Sequence, residues 1–202
     1  MQKAVIFDYG VGNLLSLKCA IERAGLDVFI GSSTQDLAQA DAIVLPGVGS
    51  FTPVAKKLAG FKEIIQTKVT EGVPLLGICL GLQLFFEESA EGPGEGLALF
   101  KGKVVQLQGD LKIPHMGWNT FNSVKACELF NGINNEKAYV YFVHSFYPVP
   151  FDECVVCAKT TYGLPFTSAV VDKNMYGLQF HPEKSGDVGL QILQNFVKIV
   201  TR

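Results

Sequence analysis

The stretch that decides the fold is Val73-Pro74-Leu75-Leu76-Gly77-Ile78-Cys79-Leu80-Gly81-Leu82-Gln83. A short apolar run typical of a buried strand leads into Gly-x-Cys-x-Gly, and the apolar residues 80–86 are enough for a helix. A sharp strand-to-helix turn needs small residues on both sides, because a Cβ there would strike neighbouring backbone. We therefore expect Cys79 at the apex of a nucleophile elbow, with its side chain exposed and a helix N-terminus that favours the thiolate. A buried structural cysteine at a β-to-α junction fits this short pattern equally well.

A second stretch, Gly177-Leu178-Gln179-Phe180-His181-Pro182-Glu183, ends a strand-like apolar run in His-Pro-Glu. Side chains two apart in extended backbone project to the same side, which predicts that His181 and Glu183 lie together. Pro182 also biases His181 toward extended geometry. With Cys79 they would form a relay in which the imidazole moves the thiol proton and Glu183 orients the ring. A histidine alone is more often a packed core residue, so the pairing with an elbow cysteine carries the prediction.

The composition is typical of a globular protein, with 202 residues, 48% hydrophobic, 18% charged and a net charge of −2. This length favours a single domain over residues 1–202. The sequence has no run of lysine and arginine and no apolar run of ~18 residues, which argues against nucleic-acid binding and a membrane span. Five scattered cysteines, and a first strand without a signal-peptide pattern before it, favour a cytoplasmic location. Cys154 and Cys157 form a Cys-x-x-Cys in a strand-like run, but structural zinc needs four ligands, so we expect no metal and no cofactor.

Apolar runs alternate with helical periodicity in the first half of the chain. Strands are predicted at 4–7, 28–30 and 42–45, and helices at 14–24, from residue 33, and at 61–71. Strand candidates then follow one another at 103–108, 120–124, 138–143, 154–160, 166–171 and 175–180, and an amphipathic helix at 185–200 closes the chain. The elements predict an α/β fold with a central, mostly parallel sheet, helices on both faces and added antiparallel strands.

The loop after the third predicted strand reads Pro46-Gly47-Val48-Gly49-Ser50-Phe51. Ligands bind outside the carboxyl ends of the strands in an open parallel sheet, so this loop and Cys79 should face one crevice. Two glycines free a peptide N–H to point into that crevice. Together with the N–H of Leu80 it would form an oxyanion hole, for which the candidates are Gly47, Val48, Gly49 and Leu80. An ordinary glycine turn is the alternative. The stretch 113–119 shows no periodicity and is interpreted as a loop, either a hydrophobic plug or a partner surface.

Gly-Ile-Cys-Leu-Gly-Leu-Gln with a distal Gln-Phe-His-Pro-Glu resembles the class I (triad) glutamine amidotransferases, which implies their three-layer, flavodoxin-like fold. Three further stretches are similar to the family of glutaminase subunits of imidazole glycerol phosphate synthase: Asp-Tyr-Gly-Val-Gly-Asn at 8–13, Pro-Gly-Val-Gly-Ser-Phe at 46–51 and Pro-His-Met-Gly-Trp-Asn at 114–119. The match runs over nearly the full chain in the expected order, and no motif residue departs from it.

The resemblance implies that L-glutamine is hydrolysed to glutamate and ammonia through a thioester on Cys79. It implies that Gln83, Glu91 and the backbone near Ser145 and Phe146 hold the glutamine. An exposed loop glutamate such as Glu91 is otherwise usually only solvated.

The resemblance also implies a partner. Ammonia would pass to a separate cyclase subunit with a (β/α)8-barrel fold, in a heterodimer that makes imidazole glycerol phosphate and aminoimidazole carboxamide ribonucleotide in histidine biosynthesis. By matching position, the interface would include Asn13, Trp118, Tyr141 and Lys184, which are otherwise ordinary surface or half-buried residues. The peptides of residues 47–49 would reorient when nucleotide binds to the partner, so the isolated chain would be a weak glutaminase.

Three other functions stay open. The first is another triad glutaminase subunit, such as one serving anthranilate or guanylate synthesis, against which the stretch 114–119 argues. The second is a cysteine peptidase or chaperone on a similar sheet, which would need neither His-Pro-Glu nor Gln83. The third is a non-catalytic binding module, which the complete triad disfavours.

Overall fold

The computed structural model describes residues 2–134 and 138–202. Its strands are β1 (Lys3–Phe7), β2 (Asp27–Gly31), β3 (Ala42–Leu45), β4 (Leu75–Ile78), β5 (Glu88–Ser89), β6 (Gly102–Gln106), β7 (His115–Thr120), β8 (Asn122–Ser123), β9 (Tyr139–His144), β10 (Phe146–Pro150), β11 (Val156–Tyr162), β12 (Leu164–Asp172) and β13 (Met175–Leu178). Its helices are α1 (Leu14–Ala24), α2 (Thr34–Ala38), α3 (Phe51–Leu58), α4 (Lys62–Thr70), α5 (Leu80–Gln83) and α6 (Gly186–Val200). Short 3-10 turns lie at Ala59–Phe61, Glu128–Phe130, Glu153–Val155 and Pro182–Lys184.

Eight strands form the central sheet in the order β2-β1-β3-β4-β13-β12-β11-β8. The first five run parallel to one another, and β12, β11 and β8 continue the sheet antiparallel. The helices that connect the parallel strands make the long crossovers that such pairing requires. The predicted α/β class, with a mostly parallel sheet and added antiparallel strands, is confirmed.

Both faces of the parallel half are buried, which explains why its strands read as continuous apolar runs. In β1, Ala4 and Ile6 pack in one core, which also contains apolar residues of α1 and α6. Val5 and Phe7 belong to the other core, with residues of α2, α3 and α4. The sheet therefore lies between two helical layers, as the three-layer prediction requires.

The helix after the elbow is shorter than predicted. It ends at Gln83 and not at residue 86. The N–H groups of Phe85 and Phe86 donate to carbonyls only three residues back, those of Leu82 at 3.0 Å and Gln83 at 3.2 Å. Such bonds tighten the last turn of a helix and do not continue it. The carbonyls of Leu84 and Phe85 then accept from the N–H groups of Leu97 and Leu99, at 2.7 Å and 2.8 Å.

The predicted loop 113–119 was also wrong, because residues from His115 onward form strand β7. This strand pairs antiparallel with β9, and Trp118 lies opposite Tyr141. Pairing with a distant strand supplies the order that the local sequence does not indicate. Cys154 lies in a 3-10 turn and not in a strand as predicted, while Cys157 is in β11. Within residues 2–134 and 138–202, no helix is long and apolar enough to cross a membrane.

Candidate active site

Cys79 lies at a strained turn between β4 and α5. Its φ is +53°, a left-handed value that residues other than glycine rarely adopt. Its N–H donates to the Leu178 carbonyl at 2.7 Å, which ties the turn to β13. A Cβ on Gly81 would lie 2.0 Å from the Leu45 carbonyl oxygen, so only glycine lets the elbow approach β3 this closely. This is the geometry of a nucleophile elbow.

The surroundings of Cys79 differ from the expected ones in two ways. The residue is only 6% exposed, because the walls of a cleft cover it. The helix behind it is a single turn, so its dipole is smaller than that of a full helix. Stabilisation of a thiolate must therefore come mainly from a neighbouring charge.

The register of the sheet brings His181 to Cys79. Strands β4 and β13 run parallel with Ile78 opposite Leu178, so the residues that follow them emerge at the same edge. The N–H of His181 donates to the Tyr141 carbonyl at 2.9 Å, which fixes the backbone beyond the strand. The imidazole is 2% exposed.

Glu183 contacts His181 as predicted, but not through extended backbone. Pro182–Lys184 is a 3-10 turn in which Pro182 takes the first position, where its fixed φ is favourable. The turn carries the Glu183 carboxylate back to the ring, and Nδ1 of His181 lies 2.8 Å from Oε1. Because a carboxylate at neutral pH only accepts, Nδ1 carries the proton.

The charge of His181 is set by its two neighbours. Burial disfavours the imidazolium, but hydrogen bonding to Cys79 and Glu183, and the charges of both groups, outweigh burial and raise the pKa of His181 to about 10. Nε2 has no hydrogen-bond partner of normal geometry among the described residues, so its contact with Cys79 is loose. Such catalytic contacts often tighten during the reaction. An imidazolium beside Cys79 is the charge that a thiolate nucleophile needs.

The glycine loop after β3 lies against the elbow. A Cβ on Gly47 would be 2.7 Å from the nitrogen of Leu80, so the two segments are in direct contact. Gly49 has a φ of +123°, which an L-residue adopts only with strain. Val48 and Gly49 line the same cleft as Cys79 and Leu80. The structure thus brings the four oxyanion candidates together, and their role as donors stays a prediction.

A cleft of about 220 Å³ opens beside Cys79. Its lining includes all four residues predicted to hold the substrate: Gln83, Glu91, Ser145 and Phe146. It also includes Pro114, Val143 and His144, which were not among the predicted substrate-binding residues. The elbow, the glycine loop and the β9–β10 junction therefore face one small pocket.

Gln83 is held by acceptors on two sides. Its Nε2 donates to the Phe146 carbonyl at 2.9 Å and to Oε1 of Gln179 at 3.3 Å. Both N–H groups of the amide are therefore used within the protein, and its carbonyl oxygen is what Gln83 can offer to a ligand.

Gln179 is a site residue that we did not predict. It is fully buried, and its Nε2 lies 3.5 Å from Sγ of Cys79, within reach of a weak hydrogen bond. The signal was present in the sequence, because Gln179 precedes His181 by two positions and so projects to the same side of the extended segment.

Glu91 has a structural contact in addition to its place in the cleft. Its Oε2 accepts a hydrogen bond from the N–H of Phe51 at 2.8 Å, at the start of α3. Ser50, which precedes the helix, makes no side-chain cap. A carboxylate at a helix N-terminus is favourable, so Glu91 is fixed in the cleft by the helix that follows the glycine loop.

Three of the four predicted interface residues form a surface cluster. Trp118 is 55% exposed, and its ring meets Tyr141 edge-on at 6.0 Å. Nζ of Lys184 lies 5.7 Å from the centre of the Tyr141 ring, a distance that allows a cation–π contact. Asn13 is the N-cap of α1, where its Oδ1 accepts from the N–H of Ser16 at 3.2 Å.

Cys154 and Cys157 do not face one ligand. Cys154 is exposed at the surface, whereas Cys157 is fully buried. Within the part of the chain that the structure describes, no group of three or more His, Cys, Asp or Glu side chains is placed to hold a metal ion.

An elbow cysteine, a histidine–glutamate pair and a parallel sheet with antiparallel additions define the triad class of glutamine amidotransferases. The model of the family described as glutamine amidotransferase class-I matches residues 5–200. Solved structures with the same fold include PurLQS from Thermotoga maritima (TM-score 0.78, 20% identity, 98% of each chain) and a glutamine amidotransferase (TM-score 0.75, 19% identity, 98% of this chain and 99% of the other).

The sequence comparison indicates a smaller family within this class. The chain is 47% identical to "Imidazole glycerol phosphate synthase subunit HisH" of Pyrococcus furiosus over 201 residues, which cover 98% of this chain and 100% of that one. It is 46% identical to the protein of the same description from Methanothermobacter thermautotrophicus, over 96% of this chain and 98% of the other. The chain belongs to the family of these HisH subunits, within the class-I glutamine amidotransferases.

Proposed function

We propose that this chain, as a single cytoplasmic domain over residues 1–202, is the glutaminase subunit of an imidazole glycerol phosphate synthase. The observation that carries the proposal is the His181–Glu183 pair, at 2.8 Å, beside an elbow cysteine on the neighbouring parallel strand. Its relatives, which match it over nearly their full length, are named as subunits of that synthase. A peptidase or a binding module would not account for this likeness.

The reaction begins with attack of the Cys79 thiolate on the γ-carboxamide carbon of glutamine. The carbonyl oxygen becomes an oxyanion, for which Leu80 and the loop Gly47–Val48–Gly49 supply N–H donors. Each such donor is typically worth about 10²–10³ in kcat. His181 gives its proton to the nitrogen, the C–N bond breaks, and ammonia leaves a thioester on Cys79.

Water completes the cycle. His181, now neutral, accepts a proton from the water as the oxygen attacks the thioester carbon. The C–S bond breaks, the product leaves with its new γ-carboxyl group, which releases its proton to solvent to give glutamate, and the thiolate–imidazolium pair is restored. Glu183 remains ionised throughout and holds the proton of Nδ1, so the ring keeps the orientation that both steps need.

Recognition of glutamine rests on the other end of the cleft. The α-ammonium needs acceptors, and the Gln83 amide oxygen and the second oxygen of Glu91 are suited to it. Backbone N–H groups near Ser145 and Phe146 would receive the α-carboxylate. The pocket thus selects an amino acid by both of its charged groups.

The partner would be a cyclase of (β/α)8-barrel fold that consumes the ammonia to make imidazole glycerol phosphate and aminoimidazole carboxamide ribonucleotide. The aromatic cluster of Trp118, Tyr141 and Lys184, together with Asn13, would lie at the interface of the heterodimer. Exposed aromatic and cationic side chains are typical of such surfaces. Nucleotide bound to the partner would reorient the peptides of residues 47–49, so the isolated chain would be a weak glutaminase.

One experiment tests the proposed function. The complex with the cyclase is assayed for imidazole glycerol phosphate, with glutamine or with ammonium as nitrogen donor, for the wild type and for Cys79→Ala. We expect Cys79→Ala to abolish the glutamine-dependent reaction and to leave the ammonium-dependent one. Glutamine-dependent synthesis by the alanine variant would refute the assignment of the nucleophile, and failure of the wild type to hydrolyse glutamine would refute the function.

A further inference from the structure

Two buried histidines outside the triad form a directed chain of hydrogen bonds that ends at the substrate cleft. Nδ1 of His144 lies 2.9 Å from the Phe146 carbonyl oxygen, and Nε2 of His144 lies 3.0 Å from Nδ1 of His115. Nε2 of His115 lies 3.4 Å from Nδ2 of Asn119. Across the β7–β9 pair, His115 and His144 are direct neighbours.

The chemistry of the two ends fixes the direction of every bond. A carbonyl oxygen only accepts, so Nδ1 of His144 must carry a proton. In a neutral ring Nε2 of His144 is then an acceptor, so Nδ1 of His115 must donate to it. Nε2 of His115 is in turn an acceptor, and the amide of Asn119 can supply the donor. Each ring has one defined tautomer.

The surroundings keep both rings neutral. His115 is 3% exposed and His144 is 5% exposed. The His115 ring stacks on Tyr162 at 4.0 Å between centroids and on Phe142 at 4.8 Å. Burial lowers the pKa of His115 to about 4 and is the main cause that lowers the pKa of His144 to about 3. At neutral pH neither ring therefore takes up a second proton, and each keeps its single tautomer.

The carbonyl that ends the chain of hydrogen bonds belongs to the segment that faces the cleft. The Phe146 carbonyl accepts both from His144 and, at 2.9 Å, from Nε2 of Gln83. The preceding carbonyl, that of Ser145, accepts from the N–H of Leu107 at 2.9 Å. The direction of the peptides from 145 to 147 therefore depends on three donors, of which one is a histidine whose ring must itself be held in place.

We propose that His115 is a positioning residue for glutamine binding: by donating to Nε2 of His144 it holds that ring where its Nδ1–H reaches the Phe146 carbonyl. Without that donor, the buried Nε2 of His144 has no partner, and the ring keeps only one of its two hydrogen bonds. The ring can then shift, and the segment 145–146 loses one of its supports. The inference rests on the proposed function, because it concerns the same cleft.

The rival explanation is that His115 only fills space in the core. Two variants separate the explanations. His115→Phe keeps an aromatic ring to stack on Tyr162 and Phe142 but removes the donor. His115→Asn removes the ring but places an amide N–H where Nδ1 was. If the hydrogen-bond donor matters, KM should rise in His115→Phe and not in His115→Asn. If only packing of the ring matters, KM should rise in His115→Asn and not in His115→Phe.

The experiment measures KM and kcat for glutamine in the complex with the cyclase, and Tm for each variant. We expect His115→Phe to raise KM about threefold to tenfold, the usual worth of one neutral hydrogen bond, with kcat little changed. We expect His115→Asn to keep a KM close to that of the wild type although its Tm falls. The inference would be overturned if KM rose in both variants in step with the fall in Tm, or if KM rose in neither variant.

A second measurement does not depend on turnover. The chain has three histidines, so the ring nitrogens can be resolved by ¹⁵N NMR, which distinguishes protonated from unprotonated nitrogens. In the wild type and in His115→Asn we expect a hydrogen on Nδ1 of His144 that exchanges slowly with water, because the ring is held at both nitrogens. In His115→Phe we expect the same hydrogen to exchange faster. An unchanged exchange rate in His115→Phe would overturn the inference, whereas failure of the proposed function would appear in the wild type alone, as absence of glutamine hydrolysis.

Discussion

Replacement of Gly49 by alanine separates the chemistry of the glycine loop from its stability. The residue has a φ of +123°, and a Cβ there would lie 3.6 Å from Cγ1 of Val11, which is ordinary contact. The substitution therefore introduces backbone strain without a clash. Gly72 is a matched control, because its φ is +90° and no atom lies within 4 Å of its Cβ position. It lies before β4, at the opposite end of that strand from Cys79.

The magnitudes follow from the two roles. Holding an L-residue at such a φ costs about 1–3 kcal/mol, so both variants should lose stability by at most that amount. The loop can relieve the strain by turning the peptides of residues 48–49, which would remove an oxyanion donor. Loss of one donor lowers kcat by about 10²–10³. Gly49→Ala should therefore lose far more turnover than Gly72→Ala at equal stability.

Urea unfolding gives the free energy of unfolding of each variant, and glutamate release by the complex with the cyclase gives kcat. A Gly49→Ala enzyme that turns over like Gly72→Ala would contradict the assignment of the loop to the oxyanion hole. It would favour an ordinary glycine turn.

Three further predictions concern groups around the cleft. Tyr9→Phe should keep or raise the free energy of unfolding, by up to about 1–3 kcal/mol, because the hydroxyl is buried without a partner among the described residues; a loss in urea unfolding would contradict this. Glu91→Gln should raise KM but keep an acceptor for the N–H of Phe51, whereas Glu91→Ala should also lower stability by about 1 kcal/mol; equal unfolding midpoints for the two variants would argue against the cap. Because the pKa of His181 is raised, protonation of this residue stabilises the fold. This stabilisation is complete below pH about 6.5, the ordinary pKa of histidine, and is lost as pH rises toward about 10. The loss of stability between pH 6.5 and 10 should therefore be smaller in Glu183→Gln than in the wild type, and an equal loss would refute the coupling.

The sequence predicted the parts of the molecule that depend on local pattern. The parallel strands are buried on both faces, so each appears as an apolar run, as in β3 and β4. The elbow needs glycine for steric reasons, and Gly81 marks it because the Leu45 carbonyl lies so close. His181 and Glu183 are two residues apart, so no distant information was needed to pair them.

The features that the sequence did not predict depend on residues far apart in the chain. The turn after the short α5 is held by carbonyl groups that accept from residues 97 and 99. The contact of Gln83 with Gln179 joins positions 96 residues apart. His144 continues the buried face of β9, where alternation with Val140 and Phe142 predicts only that it points inward. Its neighbour His115 becomes visible only when β7 pairs with β9.

The position of β13 in the sheet has a consequence for the newly made chain. This strand follows all the other described strands in the chain, yet it inserts between β4 and β12 and not at an edge. Until it has been made, β4 lacks one of its two neighbours, and the nucleophile has neither its base nor the backbone acceptor at Leu178. A nascent or truncated chain that ends before β13 therefore has Cys79 without its catalytic base, and competence to release ammonia arises only once β13 and His181 are in place.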